Sequence, residues 1–101
     1  MQTIVVLFNL KPGVSAETYE AWARSTDLPI VNALPSIDRF EVLKTTGLLG
    51  GGTAPYQYVE LLRFESLDNL FADIGTPTMQ RVAGEFQNFA DNPLFLTTSA
   101  L

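Results

Sequence analysis

The stretch YEAWARSTDLPIVNALPSIDRF, Tyr19 to Phe40, decides how the rest of the chain is read. Tyr19, Trp22, Ala23 and Thr26 recur at helical spacing, with Glu20 and Arg24 paired at i,i+4 on the wet side. Pro29 disfavours helix at Leu28, so the first helical segment is expected to end or kink there. Ile30, Val31 and Leu34 carry the apolar stripe onward until Pro35 breaks it. Ser36 to Thr46 then alternates as a strand, with Phe40 and Val42 on one face and Arg39, Glu41 and Leu43 on the other. That alternation belongs near a sheet edge.

In front of this stretch, Thr3 to Leu10 is a β-branched apolar run stopped by Lys11-Pro-Gly13. Both of its faces are apolar, which places it in the middle of a covered sheet. Ser15 is a good N-cap for the helix that follows, with Glu17 and Glu20 near its positive end. Beyond the stretch, Gly47 to Pro55 is a glycine-rich connection, read as a flexible lid or plain disorder. Tyr56 to Phe64 is a third strand pairing with the second. Ser66 caps a short helix that Gly75 ends, and Thr76-Pro77 starts another that Asp91-Asn-Pro93 stops. Leu94 to Ser99 is a fourth strand.

The order is βαββαβ, the split βαβ or ferredoxin-like arrangement: an α+β fold, residues 1–101 as one domain, with the helices on one face of a four-stranded antiparallel sheet. The far face of the first strand is apolar too, and 47% of all residues are hydrophobic against 17% charged. A second copy of the chain is the simplest cover, so the expectation is a homodimer whose two sheets face each other around a cavity.

Composition excludes several functions. The net charge is −5 and the six basic residues are scattered singly, so neither nucleic acid nor an anionic membrane is an expected partner. There is no cysteine and no histidine, which removes thiolate chemistry, the commonest general base and the commonest metal ligand. No metal site and no cofactor are expected. Nothing resembles a signal core or a bilayer span, and cytoplasmic is the default location.

The residue pattern also resembles the dimeric α+β barrel superfamily, which includes EthD-like proteins, antibiotic-biosynthesis monooxygenases and muconolactone isomerases. The likeness rests on Tyr19…Trp22…Asp27-x-Pro29…Leu34-Pro35. EthD-like chains carry histidine where this one has Asp27, and glycine where it has Ser36. Within the superfamily the chain is most similar to the REDY-like HapK family, through Leu10-Lys-Pro-Gly13, Ala33-Leu-Pro-Ser-Ile37, Pro55-Tyr-x-Tyr-Val-Glu60, Glu85-Phe86 and Asp91-x-Pro93. This resemblance implies a role in bacterial secondary metabolism, on pigments of the pyrrole or indole type, with a small, flat, apolar or aromatic molecule as partner.

Two acids are the candidate catalytic residues. Asp27 reads either as an N-cap for the turns from Leu28 to Leu34 or as a general base at the cavity mouth, where relatives carry histidine. Glu60, between Tyr58 and Leu62, should project to the enclosed side of the sheet, with Arg39 or Tyr58 as its expected partner, either in a structural ion pair across the hairpin or acting as an acid or base. Trp22 and Tyr58 are candidate ligand contacts, as are Arg39 and Asn9; the dull readings are core packing for Trp22 and a satisfied turn for Asn9. The function expected is cofactor-free proton transfer or cyclisation. The rivals are a cofactor-independent monooxygenase using Trp22, Asn9 or tyrosines, and a non-catalytic carrier that shelters a pathway intermediate.

Overall fold

The computed structural model describes all residues, 1–101. Strand β1 (Gln2–Leu10) leads into helix α1 (Ala16–Trp22), whose first turn is capped by the Ser15 hydroxyl accepting from the Thr18 N–H. Helix α1 does not stop before Pro29. It widens into a π-helical turn over Ala23–Asp27 and continues as α2 (Leu28–Asn32). Strands β2 (Ile37–Lys44) and β3 (Tyr58–Phe64) follow, then α3 (Leu67–Ile74), α4 (Pro77–Phe89) and β4 (Ala90–Ser99). The hydroxyls of Ser66 and Thr76 cap α3 and α4.

The four strands are antiparallel in the order β2-β3-β1-β4, which is the ferredoxin-like topology. The doubly apolar β1 lies inside the sheet and the alternating β2 lies at its edge. Strand β4 starts earlier than its sequence suggests, directly from the last turn of α4. Asn92 takes a left-handed φ of 46° beside a register shift against β1, so the Asp91-Asn-Pro93 stop becomes an irregularity within the strand.

The inner face of the sheet carries two buried clusters under the helices. One gathers Val6, Phe8, Tyr19, Tyr58 and Phe86; the other gathers Val31, Phe40, Phe64, Leu70 and Val82. Trp22, Ile4 and Leu62 pack against both. Asn32 ties the end of α2 to the edge strand, its amide donating to the Phe40 carbonyl at 3.0 Å and accepting the Phe40 N–H at 2.9 Å. The stretch from Tyr19 to Phe40 is thus fastened to itself at its far end.

The outer face bears no helix. Its cross-strand rows run Leu43–Val59–Leu7–Leu94 and Glu41–Leu61–Val5–Leu96, seven of these eight side chains being aliphatic. Leu94 and Leu96 are 47% and 44% exposed, so the apolar surface is open to a partner. No helix is long and apolar enough to cross a membrane.

The glycine-rich connection closes on itself: the Leu48 N–H donates to the Gly52 carbonyl and the Gly51 N–H to Leu48. Gly47, at φ 136°, could not carry a Cβ without meeting the Gly52 carbonyl at 3.0 Å. The turn lies apart from the cavity that holds Asp27 and Glu60, none of its residues lining it.

Candidate functional site

Two carboxyls meet beneath the helices. Asp27 closes the π-helical turn, where the Leu28 N–H reaches back five residues to the Ala23 carbonyl. The physical cause is Pro29, which has no N–H to continue the ladder and whose ring would crowd the carbonyl four residues earlier. Widening the turn relieves that conflict and keeps the helix continuous. It also leaves Asp27 within helix rather than at its end: its φ and ψ are helical and its side chain caps nothing, so the N-cap expectation does not hold. Asp27 is instead buried, at 5% exposure.

Glu60 comes from the inner face of β3, flanked in register by Val6 on β1 and Val42 on β2, and is equally buried. Its neighbour is Asp27, close enough that each carboxyl bears on the proton affinity of the other. The hydroxyl of the fully buried Tyr19, on α1, also donates to Glu60 Oε2 at 3.4 Å. Burial pushes Asp27 up from 3.8 to about 7, with the neighbouring Glu60 pulling the other way. Burial also raises Glu60 well above the usual carboxylate range, reinforced by the negative charge of Asp27 beside it. Desolvation, then the charge of Glu60, raises the Tyr19 phenol out of reach of ionisation. Burial thus favours a pair that shares protons up to near neutral pH, both carboxyls being raised.

The pair lines a cavity of about 210 Å³. Ile4, Val6, Phe40, Leu62, Val82 and Phe86 form apolar walls, and Gln87, Pro93 and Phe95 border the side between α4 and β4. Gln87 and Phe95 are exposed, which marks that side as the mouth. The cavity opens between the two buried clusters, within one chain, on the helix side of the sheet. The expected location, between two facing sheets of a dimer, is therefore corrected: the acids point away from the outer face.

The other candidates lie elsewhere. Arg39 does not pair with Glu60. A register irregularity between Ile37 and Arg39 sets it opposite Arg63 on the outer side, where it is exposed and pairs with Glu41 at 3.4 Å. Tyr58 is buried with its ring stacked on Phe8, and its hydroxyl donates to Glu20 Oε2 at 2.6 Å. Lys44 meets the same oxygen at 2.8 Å, and its hydrogen bond leads the causes that hold Glu20 down to about 2. Trp22 packs between Tyr19 and Phe89 and donates its indole N–H to Glu85 at 2.8 Å. Asn9 clamps the third-strand entry, donating to the Pro55 carbonyl and accepting the Gln57 N–H, rather than serving the turn at Lys11-Pro-Gly13. None of these four lines the cavity, and with them go the indole and amide on which a monooxygenase reading leaned. The features sequence reasoning missed are the Tyr19 hydroxyl on Glu60 and the rim at Gln87, Pro93 and Phe95. No group of three or more acids, cysteines or histidines converges in a way that could hold a metal ion.

A family model described as REDY-like protein HapK matches residues 2–101. Among solved structures, HapK from Hahella chejuensis is 27% identical, with a TM-score of 0.80, over 100% of this chain and 93% of that one. An EthD family protein from Bacillus halodurans is 13% identical with a TM-score of 0.81, covering 100% of this chain and 99% of that one. A dimeric ferredoxin-like protein of unknown function from Thermobifida fusca is 15% identical with a TM-score of 0.75, over 98% and 90%. No curated protein matches the sequence.

Proposed function

For this chain, which belongs to the REDY-like HapK family, we propose a small-molecule role in secondary metabolism: it admits a flat, largely apolar heteroaromatic compound to the cavity and moves protons on it with Asp27 and Glu60. The observation that carries this reading is the meeting of two buried carboxyls, one from a helix and one from a strand, in a largely apolar pocket that raises both pKa values.

The chemistry follows from the unequal members of the pair. Protonated Glu60 donates its proton to an electron-rich ring carbon, and ionised Asp27 accepts a proton from the same or a neighbouring ring atom. The proton then passes from Asp27 back to the neighbouring Glu60, so the pair ends as it began. The net result is a tautomeric shift, or a cyclisation when a nucleophile within the substrate attacks the activated ring. Tyr19 keeps Glu60 oriented and does not itself titrate. The working unit is a homodimer joined through the apolar outer face; the open aliphatic rows support this, as does the description of a related fold as dimeric.

Deuterium uptake at the ring carbons of an alkylpyrrole in heavy water, followed by proton NMR, tests the reading. The protein is expected to exceed the buffer rate, and Asp27→Asn and Glu60→Gln are each expected to abolish the excess. Full exchange in both variants refutes the catalytic roles. Tight binding of the pyrrole with no exchange in the wild type assigns a carrier instead.

A further inference from the structure

We infer that the cavity selects its ligand by charge, taking a nitrogen-centred cation on an apolar frame (a protonated amine or an iminium-type ring) and rejecting anions. The inference rests on the reading that the ligand occupies this cavity, and it adds the class of compound.

The polar groups lining the cavity are Asp27 from the π-helical turn, Glu60 from β3 and Gln87 from α4. The Tyr19 hydroxyl, from α1, stands behind them on Glu60. No lysine or arginine is among the lining residues, and the chain has no histidine. Three of the six cations are engaged elsewhere: Arg24 and Lys44 on Glu20, and Arg39 on Glu41. Lys11, Arg63 and Arg81 are exposed. A nearly buried carboxyl in an apolar chamber normally recruits an arginine, a lysine or several backbone N–H groups. Asp27 has none of these: no hydrogen bond from the chain reaches it, and the ionisable group beside it in the cavity is another acid.

In the empty cavity protons neutralise the acids; any counter-charge for an ionised Asp27 has to come from whatever enters. A cation beside Asp27 stabilises the carboxylate, so binding drives off a proton that the empty cavity retains at neutral pH. An anion does the reverse: it forces both acids to hold protons and finds only the Gln87 amide as an additional donor. The same preference fits the proposed chemistry, because protonating a ring carbon of a pyrrole-type compound leaves positive charge on the ring nitrogen, which Asp27 can face.

Three probes of matched shape separate the possibilities by titration calorimetry: phenethylamine as the cation, propylbenzene as the neutral frame and hydrocinnamate as the anion. Near neutral pH the amine is expected to bind roughly tenfold or more tightly than propylbenzene, the difference a charge-assisted hydrogen bond makes. Its heat of binding should differ between buffers of unlike ionisation enthalpy, reporting proton release. Hydrocinnamate should bind more weakly than propylbenzene. In Asp27→Asn the amine should lose its advantage while propylbenzene keeps its affinity, which shows that the cavity remains intact. Equal affinity for amine and propylbenzene, failure of the amine to bind, or an advantage that survives Asp27→Asn overturns the inference. If those results accompany normal pyrrole exchange, proton transfer stands and charge selection falls. If the amine is preferred but no exchange occurs, charge selection stands without catalysis.

Discussion

Replacing Asp27 by asparagine is expected to make the protein more stable in neutral and alkaline solution and to flatten its pH dependence. The carboxyl of Asp27 ordinarily titrates at 3.8 and is pushed to about 7, chiefly by burial. Its proton is therefore held more tightly in the folded chain than in the unfolded one. The folded state has that advantage in full below pH 3.8 and loses it as pH rises from there through about 7. A rise from 3.8 to about 7 corresponds to about 4 kcal/mol, at about 1.4 kcal/mol for each tenfold change in proton affinity. Glu60 acts in the same direction, since burial also raises it. The asparagine amide can donate to Glu60, so the variant allows a hydrogen bond across the pair without a second buried charge. Urea unfolding at a series of pH values from about 5 to about 8, at one fixed protein concentration, measures the effect through the midpoint. The wild-type midpoint should fall across that range, and the variant's should fall less and lie higher at the alkaline end. A wild-type midpoint that does not change with pH, or a variant with the wild-type slope, refutes the buried-pair account.

Three further outcomes follow from the same geometry. Tyr19→Phe removes a donor that lowers the proton affinity of Glu60, so the pH profile of alkylpyrrole exchange should move to higher pH; an unmoved profile, read by NMR, would show that the hydroxyl does not act on the pair. Glu20→Gln removes a carboxylate held at about 2 by Lys44 and Tyr58, whose stabilising contribution is present above its ordinary 4.5 and is lost as pH falls towards 2. Because this pair lies at the surface, the loss at neutral pH should be only about 0.5–1 kcal/mol by urea unfolding, and it should vanish in acid. Leu61→Lys puts a charge in the middle of the apolar outer face, so light scattering should give twice the chain mass for the wild type and one chain mass for the variant. A monomeric wild type would remove the homodimer.

Much of the fold was legible because local signals agreed. Ser15, Ser66 and Thr76 cap the helices they were expected to cap. The two-sided apolar run became an inner strand, and the alternating one became an edge. Pro29 was the instructive exception. Its local preference to break the helix is real, but burial of Tyr19, Ala23 and Val31 on one continuous face outweighs it, and the conflict is resolved by a π turn rather than a stop. The site was legible in part. Asp27 and Glu60 stood out as acids in apolar surroundings, whereas Tyr58, Trp22, Asn9 and Arg39 lie away from the cavity because each is engaged by a partner distant in sequence or by a shift of register, which no local pattern encodes.

What the amino-acid order determined by itself was the element sequence, the ferredoxin-like sheet, the family, and a set of ionisable groups without histidine or cysteine. Periodicity and residue type carry those because they are properties of neighbours along the chain. Only the tertiary structure decided that Asp27 meets Glu60, that Tyr19 stands behind them, and that their cavity lies under the helices instead of between two sheets. Each of those depends on how far a π turn rotates one side chain and on the register of β2, β3 and β1. Burial then sets the proton affinities, which belong to the surroundings of the two acids and not to the acids alone.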